Sequence, residues 1–112
     1  MANKHILATD PRGLPVEMWD ERWEQLIRKH PDLLASGVTE GHLADAIEHP
    51  LGDTIYWSND YRDSELYYAK FSKTLMIRVV AKYVGGAGEV LTAHFVKRIS
   101  GNVKVRWTKK NE

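Results

Sequence analysis

Apolar and polar residues follow two different periods along this chain, and the change falls near Gly52. Before it, apolar positions recur at helical spacing; after it they alternate in twos. The N-terminal part opens with a short extended piece around His5 to Ala8, broken by the turn-forming run Asp10, Pro11, Arg12, Gly13. A helix is predicted from Asp20, with Trp19, Trp23, Leu26 and Ile27 on one side, and Pro31 ends it after His30. A second helix is predicted from Thr39 to about His49, before Pro50, with Leu43, Ala46 and Ile47 as its buried stripe.

The alternating part divides into strands at Thr54 to Ser58, Glu65 to Phe71, Thr74 to Val84, Glu89 to Ile99 and Val103 to Thr108. Their connections are short and rich in turn formers, as in Ser72-Lys73, Gly85-Gly86-Ala87-Gly88 and Ser100-Gly101-Asn102. Short connections favour an antiparallel meander. The expected fold is therefore a single α+β domain over residues 1–112. In it, two N-terminal helices pack on one face of a twisted four- to five-stranded antiparallel sheet.

Alternation also sorts the side chains between the two faces. Tyr67, Ala69, Phe71, Leu75, Ile77, Val79, Ala81, Leu91, Ala93, Phe95, Ile99, Val103, Val105 and Trp107 share the expected core face. The opposite, open face collects Tyr68, Lys70, Arg78, Lys82, Thr92, His94, Arg98, Lys104, Arg106 and Thr108.

Charge sharpens this picture. The chain carries 6 Lys and Arg against 12 Asp and Glu up to Asp63, but 10 against 3 from Ser64 onward, so a formal net charge of +1 hides an acidic half and a basic half. Cations gathered on one sheet face point to a polyanionic partner, whereas a merely soluble surface mixes signs. With no cysteine there is no disulfide framework and no thiolate nucleophile. The N-terminal run is too poor in apolar residues for a signal peptide, and no stretch reaches membrane-spanning length. A soluble cytoplasmic protein without a membrane partner is expected.

The stretch Trp23-Glu24-Gln25-Leu26-Ile27-Arg28-Lys29-His30-Pro31-Asp32-Leu33 is followed in order by Ile47-Glu48-His49-Pro50, Tyr67-Tyr68, Ile77-Arg78-Val79-Val80 and Leu91-Thr92-Ala93. This order resembles that of phage-associated barnase/EndoU/colicin/RelE-like (BECR-fold) nucleases. The resemblance implies a small metal-independent ribonuclease or toxin-like hydrolase domain, needing no cofactor and acting on RNA. It also implies restraint by a small acidic inhibitor or antitoxin protein. Gln25 stands where such proteins often have histidine, and His94 where an aromatic residue is commoner.

That chemistry uses a base on the ribose 2′-OH, an acid on the leaving oxygen and cations around the phosphate. His30 and His94 are the acid and base candidates, because histidine titrates nearest neutrality. Arg78, Arg98 and Lys70 are phosphate candidates, and Thr92 offers a hydrogen bond to a phosphate oxygen. Lys82, Lys104 and Arg106 extend the cationic surface, and Tyr68 could stack a base. Plainer roles stand beside these: His30 complementing a helix dipole, His94 as a sheet-surface residue, and the tryptophans as packing groups. The alternative function is a non-catalytic module that binds RNA or protein through the same face. His42, Asp45 and His49 share a helix face, but positions two turns apart do not close around one metal ion, so a solvated face is expected there.

Overall fold

The computed structural model describes residues 3–60 and 64–109. Seven strands form one sheet: β1 Lys4–Thr9, β2 Pro15–Trp19, β3 Thr54–Trp57, β4 Ser64–Lys70, β5 Met76–Val84, β6 Ala87–Val96 and β7 Lys104–Thr108. Three short helices, α1 Asp20–Lys29, α2 Pro31–Ala35 and α3 Glu40–Glu48, lie between β2 and β3. The spatial order is β1-β2-β6-β5-β4-β3-β7. Neighbours pair antiparallel except β2 and β6, which run parallel through Val16 and Glu17 against Gly88 and Glu89. This overturns the expectation of a four- to five-stranded antiparallel sheet carrying two N-terminal helices.

The departures have separate causes, some local and one of long range. Strand β2 is only five residues long and starts on a proline, so it reads as part of a turn; its burial alternates nonetheless, with Val16 and Met18 fully inside. Its pairing with β6 brings together segments some seventy residues apart, which no local pattern encodes. Helix α2 is a single five-residue turn begun by Pro31 at its first position, too short to show a 3.6-residue period. Helix α3 follows its pattern closely: Thr39 and His42 exchange capping contacts at its start, and Leu43, Ala46 and Ile47 are buried.

The main core lies between the helices and one sheet face. It joins Leu26, Leu33, Val38, Leu43, Ala46 and Ile47 to Val16, Met18, Ile55, Tyr67, Ile77, Val79, Ala81, Val90 and Ala93. Helix α3 contacts β1 at one side of the sheet and β4 and β5 in its middle, so the sheet curls around it. Expectation and structure agree here for Tyr67, Ile77, Val79, Ala81 and Ala93.

The opposite face is not open. Leu66, Tyr68 and Val80 form a second buried cluster there, covered by Leu51, Tyr56, Leu91, Val96, Ile99 and Val103. Leu66, Tyr68 and Val80 reach this face by alternation alone, but two causes bring Leu91, Ile99 and Val103 here from the expected core face. A β-bulge between Val80 and Ala81 places Val90 opposite Ala81 and leaves Leu91 as the extra residue, which turns it to the second face. Beyond Val96 the chain crosses this face to reach β7 on the far side of β3, and Ile99 and Val103 of the crossing segment pack down onto it. Asn102 Nδ2 donates to Asp60 Oδ2 at 2.9 Å and tethers that strap to the β3–β4 connection. Val105, expected in the core, is 56% exposed on the edge strand β7.

Candidate active site

Pro31 denies helix α1 a further turn, so His30 stops it: its N–H still donates to the Leu26 carbonyl at 2.8 Å, while its backbone leaves the helical region. After Glu89 no strand pairs with β6 on its β2 side among the described residues, and α1 lies there instead. The C-terminus of α1 thus reaches His94, whose ring centroid is 5.6 Å from that of His30, with the planes tilted by 35°.

His94 stands directly opposite Arg78 in the β5–β6 ladder. Arg78 Nε donates to His94 Nε2 at 2.9 Å, and its Nη2 reaches the same atom. Because guanidinium only donates, Nε2 must be the accepting nitrogen, so His94 is the neutral tautomer carrying its proton on Nδ1. Burial, then the Arg78 charge, then His30, push the His94 imidazole down to about 4. Asp32 acts weakly in the opposite sense. Beside this cluster the strap forms a groove of about 700 Å³ lined by Arg78, Val96, Lys97, Arg98, Ile99, Ser100 and Gly101.

The structure therefore brings His30, His94, Arg78 and Arg98 to one region and scatters the rest. Lys70 is exposed at the same end of the sheet, on the neighbouring strand. Thr92 lies two residues from His94, in a separate pocket against α1 lined by Arg22, Gln25, Leu26, Lys29 and Leu91. Tyr68 is only 1% exposed and meets Tyr56 edge-on at 5.5 Å, so its ring is packed inside the second cluster. Lys82 is exposed at the other end of β5, opposite Ser64. Lys104 and Arg106 sit on the far edge strand, their charges 5.1 and 5.0 Å from the Trp57 ring centre. Arg106 also approaches Glu65, Nε to Oε1 3.6 Å.

A second cluster of charge lies at the other end of the sheet, and the sequence offered no sign of it. Arg12, from the β1–β2 turn, donates to Asp10 Oδ2 at 2.7 Å and to Glu65 Oε1 at 3.1 Å. Tyr83 donates to the same Asp10 oxygen at 2.7 Å, and the Tyr67 and Tyr83 hydroxyls touch. The Arg12 guanidinium lies over the Tyr83 ring, 4.9 Å from its centre, and Gly88 backs close to the same ring, where a Cβ would come within 2.8 Å of it. Burial alone would raise the Asp10 carboxyl, but hydrogen bonds from Arg12, Tyr83 and the Leu14 N–H hold it below the ordinary range. Asp10 and Glu65 face the same guanidinium only because the sheet curls, so spacing along the chain could not pair them.

Among the described residues no three His, Cys, Asp or Glu side chains are placed to hold a metal ion. His42 Nδ1 accepts from the Thr39 N–H at 2.9 Å and its ring lies 5.5 Å from Phe71, so it acts as a cap and packing group. Among the described residues no helix is long and apolar enough to cross a membrane. No family model matches the chain, and no curated protein or solved structure is found to be similar to it.

Proposed function

We propose that this domain is a metal-independent endoribonuclease whose working groups are His30, His94 and Arg78. The observation that carries this reading is the pair of imidazoles 5.6 Å apart beside one guanidinium. At that spacing a single phosphodiester can touch both rings through hydrogen bonds of about 2.6–3.2 Å. The neutral His94 takes the proton of a ribose 2′-OH, which only RNA offers. The freed oxygen attacks the adjacent phosphorus, and His30 returns a proton to the departing 5′-oxygen. Arg78 and Arg98 stabilise the charge on the phosphate. When phosphate takes the donors of Arg78, His94 Nε2 is released and the anion offsets the guanidinium charge that depressed it, so the imidazole becomes a stronger base. A cytoplasmic, toxin-like role, with a small acidic protein as inhibitor of the basic groove, is part of the same proposal and rests on the resemblance and the charge of the C-terminal half.

A second reading is favoured by one observation: a histidine held near 4, with its accepting nitrogen occupied, is a weak base in the free protein. On that reading the groove binds RNA without cleaving it. Incubating the purified protein with RNA in EDTA separates the two. Fragments ending in 2′,3′-cyclic phosphate support cleavage, and RNA that is retained but intact supports the binding module.

A further inference from the structure

We infer that the pocket between α1 and β6 is a phosphate subsite, which holds a second backbone phosphate of RNA beside the one at His30 and His94. The assignment of its ligand to RNA rests on the function proposed above. The pocket holds about 190 Å³ and is lined by Arg22, Gln25, Leu26, Lys29, Leu91 and Thr92. Two polar atoms of these lining residues, Arg22 Nε and Thr92 Oγ1, are closed off from solvent, and neither has a hydrogen-bond partner among the described residues, so an anion reaches them once the two side chains turn toward the pocket. A buried donor left unmade is costly, and most native proteins satisfy such groups.

The lining is a set of donors. Arginine and lysine have no acceptor, and no carboxylate lines the pocket. The Gln25 Oε1 already accepts from Arg22 Nη1 at 3.1 Å, so the group it can offer an anion is its amide NH2. The threonine hydroxyl can turn its proton toward an anion. A lining of donors without a carboxylate suits a tetrahedral oxyanion, and the apolar Leu26 and Leu91 beside it strengthen each charge-assisted bond.

Position supplies the link to the cluster of histidines. Thr92 and His94 are two residues apart on one face of β6, about 6.6 Å along the strand. Lys29 immediately precedes His30. The subsite, the two imidazoles and the groove at Arg98 therefore form one track along the edge of the sheet, with a spacing comparable to one nucleotide step of an extended strand.

The test follows inorganic phosphate and RNA separately. In isotopically labelled protein, phosphate titrated at constant ionic strength should give saturable shifts at the Arg22 Nε–H, the Gln25 side-chain amide and the Thr92 methyl. Thr92→Val, which keeps shape but not the hydroxyl, and Arg22→Lys, which keeps charge but not Nε–H, should each weaken this binding about tenfold or more. Shifts no larger than those from chloride, or variants that bind phosphate like the parent, would overturn the subsite. A 2′-O-methyl dinucleotide, which cannot be cleaved, should bind about tenfold more tightly with a terminal phosphate than without, and Thr92→Val should erase that gain. An equal gain in parent and variant would overturn the role in RNA binding. Cleavage is read apart from both: a protein that cleaves no RNA yet shows both phosphate effects keeps the subsite and loses the chemistry, and one that cleaves without them loses the subsite alone.

Discussion

Arg12 and Arg78 sit at opposite ends of the same curled sheet and meet different partners. Arg12 is held between two carboxylates and stacked on Tyr83, with Asp10 wholly enclosed and Glu65 nearly so. Arg78 is cross-strand to a neutral imidazole at the mouth of a groove. The strand that carries Tyr83 and Arg78 separates the two places by about 16 Å. At the Arg12 end, polar groups satisfy one another and close the seam between the β1–β2 turn and the sheet. At the Arg78 end, burial and the contact together depress a titratable ring, which lies next to an open groove. The same residue type thus serves as a clasp where carboxylates surround it, and stays available to the proposed phosphate where a groove and histidines do.

The comparison would break most plainly if both ends affected cleavage alike. Replacing His30 or His94 with alanine should reduce RNA cleavage roughly 10²- to 10⁴-fold, the range for general acid–base catalysis, while RNA affinity stays nearly unchanged. Rates in EDTA together with binding isotherms check this. A fall in both quantities by the same factor would make the histidines binding groups.

The converse change lies at the closed end. Arg12→Ala leaves Asp10 and Glu65 buried without their cation and should cost about 3–5 kcal/mol of stability. Each kcal/mol lowers the melting temperature of a domain this size by roughly 4–8 °C. Cleavage per folded molecule should be unchanged. Calorimetry alongside activity measured well below the melting point would expose a hidden functional role for this network.

Titration distinguishes the ends more gently. Between about 6.5 and about 4 the unfolded chain binds a proton that folded His94 refuses. Stability therefore falls as pH drops through that window, and His94→Gln should flatten the slope. His5 contributes the opposite slope. Its hydrogen bond to Asp20 raises its affinity for protons, burial opposes this, and Glu40 adds to it. Its stabilisation is complete at low pH and is lost as pH rises above the ordinary histidine range. Urea midpoints across pH for His94→Gln and His5→Gln, each against the parent, resolve both signs.

The smallest effect concerns the far edge. Lys104→Gln or Arg106→Gln should alter RNA binding only through charge, reducing the slope of log affinity against log salt by about one or less. A larger loss would place Trp57 and its two cations in the RNA path.

The legible and hidden parts of this protein divide by range of interaction. Helices α1 and α3 and the meander from β3 to β6 follow local periods: Pro31 and Thr39 mark helix ends, and the Gly85-Gly86 turn, with φ of 63° and 86°, joins β5 to β6 in the way a glycine pair permits. Alternation put Arg78 and His94 on one face, and the ladder does pair them. Leu66, Tyr68 and Val80 already shared the supposedly open face; a single bulge, which turns Leu91 there, and the strap after Val96, which lays Ile99 and Val103 over it, were enough to bury them. The parallel pairing of β2 with β6, the approach of His30 to His94 around a sheet edge, and the meeting of Arg12 with Glu65 depend on how distant segments are brought together. Local sequence determined which stretches could be helix or strand and which residues had the chemistry; tertiary packing alone decided which of them meet, since contact across the sheet depends on curl, edge and crossing rather than on spacing along the chain.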